Sequence, residues 1–262
     1  MAKSDFTLII LAGGDGARMK PASLITPKPL LTSCDEPLLV RQVRQANEAG
    51  IPQVLVSTNP KDYIPIKKAL RIYKVKAEVL KNEHHIEGSL PALSFAIEKT
   101  STSKILMSFA DIYFLSNPFF KFKYTNRHSL GISKAFDKRE LSLGGIIYMQ
   151  AGSIEKIIEM PIKNNTKGYR WNGLALFDKI DHDDLKKFLG DNRLDSPEGD
   201  FFEYLRAEKK VNFSGIECSD FINVNRPDNL LVAAMYRLSE IKKGKQLLLL
   251  ANKTRLQILK QF

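Results

Sequence analysis

Cysteine is scarce: Cys34 and Cys218 are the only two in 262 residues. Two thiols cannot build a disulfide framework, and as metal ligands they fall short of the usual four. A reducing, cytoplasmic setting is therefore expected. Long apolar runs are also missing. Nothing approaches the roughly 20 apolar residues that cross a bilayer, and the apolar stretch near Met1 is too short for a signal peptide. Neither export nor a membrane span is expected. Repeats of solenoid length are absent, and the longest low-complexity tract is Leu247–Leu250. His84 and His85 adjoin each other with no Cys or further His at ligand spacing, so they read as exposed loop residues.

What is present describes an ordinary globular chain with a basic end. Its length lets it bury about 70% of its unfolded surface, so no staple is needed. Hydrophobic residues at 44% and charged residues at 26% argue against disorder. Forty basic residues against 29 acidic ones give +11, and Arg237–Phe262 holds seven of the basic ones against Glu240 alone. With more than half of the excess in that tail, the rest of the chain is not a nucleic-acid surface, and no nucleic-acid partner is expected. The division implied is a main domain over 1–236 and a basic helical tail over 237–262. Polar residues interrupt the tail's heptad seam, so it reads first as a helix docked on the core or on a second copy, and second as a basic membrane-surface helix.

Periodicity gives the fold class. Leu8-Ile9-Ile10-Leu11 is a continuous apolar run that ends in Ala12-Gly13-Gly14, as for a strand covered on both faces. Helical spacing follows through Leu38, Leu39, Val43 and Ala46 and stops at Gly50. Val54–Val56, Ala77–Leu80 and Ile105–Phe109 read as further strands, separated by helices over Ile64–Tyr73 and Leu90–Ile97, and Asp111 stands just past the last. This alternation predicts an α/β fold with an open, mostly parallel, Rossmann-like sheet and helices on both faces. After Asp111 the pattern loosens. Strand-like runs at 130–135, 145–149, 154–160, 173–177 and 211–216 and helical runs at 183–189, 200–207 and 226–238 suggest an insertion that completes a pocket. In such sheets ligands bind beyond the carboxyl ends of the strands, so the loop after Leu11 and Asp111 should face one crevice.

The loop Leu11-Ala12-Gly13-Gly14-Asp15-Gly16-Ala17-Arg18 carries the most chemistry. It lacks the third glycine of a dinucleotide fingerprint, where Met19 stands, and the Gly-Lys-Ser/Thr of a P-loop. Its glycines let backbone N–H groups approach an anion, and Arg18 adds a fork of donors. Pro27 and Pro29 stiffen the loop around a second cation, Lys28.

The run LAGGDGARMKP followed by TPKPLL resembles the signature of the sugar-1-phosphate nucleotidyltransferases, of the mannose-1-phosphate guanylyltransferase and glucose-1-phosphate thymidylyltransferase kind. Later landmarks come in the same order: EGSLPAL at Glu87–Leu93, FAD at Phe109–Asp111, WNGLALF at Trp171–Phe177, EGDFFEYL at Glu198–Leu205 and FINVNRPDNL at Phe221–Leu230. The resemblance implies transfer of a nucleoside monophosphate from a nucleoside triphosphate to a sugar 1-phosphate, with Mg²⁺ and release of pyrophosphate. It further implies that Leu11, Ala12, Gly13, Gly14 and Gly16 cradle the triphosphate, with Arg18 on the pyrophosphate and Lys28 on the α-phosphate. Asp111 and Asn223 would hold the metal, Gly88 and Ser89 the base, and Gly144, Glu159, Asn172 and Gly173 the sugar.

Three positions depart from the family pattern. Met160 stands where a sugar-phosphate lysine is usual, Asn223 where a second metal-binding aspartate is usual, and Ala110 where a glycine precedes the first aspartate. Two rival readings follow: a catalytically weak binding or regulatory relative, and a cytidylyltransferase acting on a small phosphorylated alcohol.

Overall fold

The computed structural model describes residues 6–83, 87–125, 127–142, 144–159, 167–191, 193–218 and 220–260; His84, His85 and Met160 lie outside them. The first half follows the alternation read from the sequence. Strand β1 (Phe6–Leu11) leads through α1 (Ala22–Ile25) and the small ribbon β2 (Thr32–Ser33) and β3 (Glu36–Pro37) to α2 (Leu38–Ala49). There follow β4 (Gln53–Thr58), α3 (Tyr63–Ile72), β5 (Glu78–Lys81), α4 (Ser89–Ile97) and β6 (Lys104–Phe109). The order β5-β4-β1-β6 is parallel throughout. Every residue of β1 is buried, because its side chains serve two cores: Ile9 and Leu11 pack toward α4, while Leu8 and Ile10 pack toward α2. That is the physical content of a continuous apolar run. Gly50 closes α2 in the left-handed region (φ 72°), where a side chain would be strained.

The second half corrects the mostly parallel expectation. It holds β7 (Ile112–Phe114), α5 (Phe119–Phe122), β8 (Ser129–Ser133), β9 (Ile146–Gln150), β10 (Ser153–Ile158), β11 (Tyr169–Asp178), α6 (His182–Gly190) and α7 (Glu198–Ala207), then β12 (Ser214–Glu217), β13 (Phe221–Asn223), α8 (Pro227–Lys242) and α9 (Lys245–Leu259). The long β11 runs antiparallel to β6, β8 and β9, and β9 runs antiparallel to β10, so the nine-stranded sheet is mixed. The reason lies in connection length: Ala151 and Gly152, both at positive φ, turn β9 directly into β10, whereas parallel neighbours need a crossover of a dozen residues or more. The sheet is also not open along its whole length. Because β9 pairs with the start of β11 as well as with β10, strands β11, β8, β12, β10 and β9 close into a ring.

A third, smaller core joins Met19 and Leu31 of the N-terminal loops to Tyr113, Ile222 and Val224 of the β7–β13 ribbon and to α8 and α9. Position 237 falls inside α8, and α9 docks on the core through Ala251, Arg255, Ile258 and Leu259, while Leu248, Leu249 and Leu250 stay exposed. Among the described residues no helix is long and apolar enough to cross a membrane.

Candidate active site

Two cavities meet beyond the carboxyl ends of β1 and β6. The smaller, of about 260 Å³, is walled by Leu11–Gly14, Lys28, Gly88, Ser89 and Asp111. The larger, of about 400 Å³, is walled by Arg18, Asp111, Glu159, Trp171, Gly173 and Asn223 among others. Phe109, Asp111 and Glu198 belong to both. The crevice expected from the fold is therefore bipartite, with the carboxyl groups of Asp111 and Glu198 at the junction.

Local geometry explains the glycines. Gly16 sits at φ 64°, and a Cβ there would stand 2.9 Å from Lys28 Cβ, so this glycine shapes the loop around Lys28 and does not itself line either cavity. Gly14 is the opposite case: a Cβ there would meet nothing within 4 Å. The folded chain does not need a glycine at 14; a ligand that approaches the backbone closely would. Gly88 (φ 114°) precedes α4, and any Cβ would strike the Leu194 carbonyl oxygen at 2.7 Å. Gly173 (φ 77°) lets β11 bulge against Phe109 and Ile112.

Lys28 reaches across the junction. Its Nζ donates to Asp111 Oδ2 at 2.6 Å and to Asn225 Oδ1 at 2.7 Å. Asp111 is held by its backbone: its carbonyl accepts from Val224 N at 2.8 Å, which ties β7 to β13 and sets Asn223 opposite Ile112. Gln42, on the buried face of α2, donates to the carbonyls of Phe109 and Ile112, both at 2.8 Å, and accepts from Ser108 Oγ at 3.0 Å. This amide clamps the turn that carries Asp111. Its signal in the sequence is a polar residue within the apolar stripe of Leu38, Leu39, Val43 and Ala46.

Two more carboxylates face the larger cavity. Glu159 accepts from Gly199 N at 3.2 Å, and burial, reinforced by the charge of Glu198, pushes its carboxyl up to about 7. Glu198, at the start of α7, is pushed up by burial; the Ser89 hydroxyl opposes the shift and the charge of Asp111 adds to it. Glu198 and Gln42 are the site residues that sequence reading missed.

The structure brings Leu11, Ala12, Gly13, Gly14, Gly88, Ser89 and Lys28 to the smaller cavity. It brings Gly144, Glu159, Gly173 and Asn223 to the larger. Arg18 also faces the larger cavity instead of the glycine loop, and it is exposed with no ion-pair or hydrogen-bond partner among the described residues. Asn172 does not reach either cavity. It is fully buried against Gly131, with its Oδ1 accepting from Leu174 N at 3.2 Å, because its neighbours Trp171 and Gly173 take the cavity side of β11.

A glycine-rich loop after the first strand and a carboxylate past β6 thus face one bipartite crevice of an α/β fold. Residues 8–131 match the family of the MobA-like NTP transferase domain. Among curated relatives, the bifunctional IPC transferase and DIPP synthase of Aquifex aeolicus is 37% identical over 78 residues, which is 30% of this chain and 18% of that protein. The mannose-1-phosphate guanylyltransferase catalytic subunit beta of Drosophila melanogaster is 28% identical over 166 residues, 58% of this chain and 43% of that protein. The chain thus spans less than half of the length of either relative. The inositol-1-phosphate CTP transferase of T. maritima superposes with a TM-score of 0.75 at 17% identity, over 93% of this chain and 99% of that one, which establishes a shared fold.

Proposed function

We propose that the protein transfers a nucleoside monophosphate from a nucleoside triphosphate to a small phosphorylated acceptor, in first place a sugar 1-phosphate, and releases pyrophosphate. The observation that carries this reading is the position of Asp111 and Glu198 on the wall shared by a glycine-lined cavity and a polar one. The triphosphate occupies the first and the acceptor the second. An acceptor phosphate oxygen attacks the α-phosphorus in line; the new P–O bond forms as the bond to pyrophosphate breaks, and no protein nucleophile is required. Catalysis is then positioning and charge neutralisation. Lys28 steadies charge on the α-phosphate, Arg18 reaches phosphate oxygens from the acceptor side, and Gly13 and Gly14 offer backbone N–H groups. Gly88 and Ser89 meet the base, and Glu159 with Gly144 and Gly173 the acceptor.

Among the described residues no group of three or more His, Cys, Asp or Glu is set to hold a metal. That suits Mg²⁺, which commonly rests on one or two protein oxygens and completes its shell with substrate phosphates and water. Asp111 and the Asn223 amide oxygen would hold it, and when bound it would supply charge neutralisation of the phosphates.

A phosphorylated polyol is the second reading of the acceptor, the kind named for the inositol-1-phosphate CTP transferase, whose fold this chain shares. Pyrophosphate release, measured with each triphosphate against glucose 1-phosphate, mannose 1-phosphate, inositol 1-phosphate and phosphocholine, tests both. Turnover with a sugar 1-phosphate upholds the first reading and turnover with a polyol phosphate alone upholds the second. No release with any pair, together with a triphosphate-induced rise in melting temperature, would replace both with a binding or regulatory role.

A further inference from the structure

The C-terminal helix reads from its sequence as a packing element, yet three of its side chains face the larger cavity. Arg255, Ile258 and Leu259 all line it, and each is at most 8% exposed. Arg255 is anchored from two sides. Its Nε donates to Glu140 Oε1 at 2.9 Å and its Nη1 to Asp220 Oδ2 at 2.6 Å, while Nη2 also reaches the Phe221 carbonyl at 3.3 Å. Arg170 of β11 shares both carboxylates, at 2.8 Å from Glu140 and 3.2 Å from Asp220. The cluster is electrically balanced, two guanidinium groups against two carboxylates, and Glu140, Arg170 and Arg255 all border the cavity. A pair of buried opposite charges is sensitive to the loss of either partner, because the remainder is left uncompensated.

We propose that α9 is a wall of the acceptor site, with Ile258 and Leu259 as specificity-determining residues and Arg255 as the positioning residue that pins them. The assignment of this cavity to the acceptor rests on the function proposed above. Two physical consequences follow. Ile258 and Leu259, beside Ile222 and Val232, give the cavity an apolar flank, so they set how much bulk and which C–H face of the acceptor fits. Arg255 also keeps the wall neutral. Without it, Glu140 and Asp220 share a single guanidinium, and the excess negative charge adds to that of Asp111 against an anionic acceptor. The smaller cavity has no α9 residue in its wall, so the triphosphate should not sense the helix.

The test uses the full chain and its single tryptophan, Trp171, which lines the same cavity. Leu259→Ala should increase acrylamide quenching of Trp171 with the melting transition still cooperative, a readout independent of activity. The same variant should raise the acceptor KM about tenfold and leave the triphosphate KM within about twofold, the scale of a missing pocket contact. Arg255→Gln should raise the acceptor KM in a salt-dependent way, and Arg255→Lys should restore part of it. Unchanged Trp171 quenching and unchanged acceptor KM in Leu259→Ala would overturn the proposal. So would a parallel rise of both KM values in the Arg255 variants, which a merely structural helix produces. Increased quenching in a protein that turns over no acceptor upholds the wall and removes the proposed reaction instead.

Discussion

The two cavities that meet at Asp111 are built in opposite ways. The smaller one takes most of its wall from short consecutive runs, Leu11–Gly14, Lys28–Pro29, Gly88–Ser89 and Phe109–Asp111, and presents backbone together with one stiffly held lysine. The larger one gathers residues from many separate segments, β11, α7, β13, α8, α9 and the loops before β9 among them, and it presents side chains. A backbone cradle is written locally, since it depends on where side chains are missing. A side-chain wall depends on which distant segments the fold brings together. The common step of the proposed reaction belongs to the first, and the choice of acceptor to the second.

The sharpest way to break this division is at the junction. Asp111→Asn keeps the shape and removes the charge, while Gln42 and Val224 still hold the backbone. Turnover should fall at least about a thousandfold with little change in melting temperature, since the lost term is charge stabilisation in the reaction. Activity within tenfold of the unaltered protein, at matched metal and substrate, would remove Asp111 from the chemistry. Lys28→Ala should cost about a hundredfold in turnover. It should also strengthen Mn²⁺ binding measured without nucleotide, because the ammonium that sits 2.6 Å from Asp111 no longer competes for the carboxylate. Weaker metal binding would show that Lys28 positions Asp111 instead of competing for it.

These contacts show why the first half was legible and the second was not. A continuous apolar run, three glycines and a lysine between two prolines announce a buried strand and a stiff phosphate loop before any tertiary contact is known. Gln42 was passed over because a single amide in an apolar helix stripe has no meaning until the strand-end carbonyls it clamps are in place. Glu198 stood in view at the start of α7, but its role comes from Ser89 and Asp111, which lie far away in sequence. Arg255 made the tail's seam look interrupted. It is buried all the same, because Glu140 and Asp220 arrive from elsewhere to neutralise it. The expectation of a mostly parallel sheet failed for a related reason: strand signals do not state direction, and the two-residue turn at Ala151–Gly152 does. Asn172 failed because the bulged β11 gives the cavity to its neighbours.

A smaller effect tests the electrostatics of the acceptor side. The Glu159 carboxyl, pushed up to about 7 from 4.5, holds its proton in the folded chain over an interval where the unfolded chain has released it. The native state then binds more protons than the unfolded one, so stability falls as pH rises through that interval and levels off above it. The cost is about 2 kcal/mol after allowance for nearby solvent. Glu159→Gln is neutral throughout and should lose this decline, which makes it more stable than the unaltered protein at pH 8. Parallel melting profiles from pH 4.5 to 8 would show that Glu159 is ionised at little cost and that the larger cavity is wetter than its lining suggests.

The smallest expected change in stability carries the cleanest information about the smaller cavity. Gly14 has no positive φ and open space where a Cβ would project, whereas Gly16 has φ 64° and Lys28 Cβ 2.9 Å away. Gly16→Ala should therefore destabilise by about 1 kcal/mol or more through the left-handed backbone alone. Gly14→Ala should leave the melting temperature unchanged or raise it slightly, since alanine at a compatible position reduces the freedom of the unfolded chain, by about 0.4–1 kcal/mol. If phosphate approaches the backbone at this point, the added methyl occupies the space that the ligand needs. The variant would then be as stable as the unaltered protein but would lose most of the melting-temperature rise that a triphosphate with Mg²⁺ produces. A structural glycine gives the reverse pattern, with lost stability and retained binding. Full triphosphate binding by a stable Gly14→Ala variant would show that the loop meets its ligand elsewhere, and the cradle would have to be redrawn around Gly13 and the start of α4.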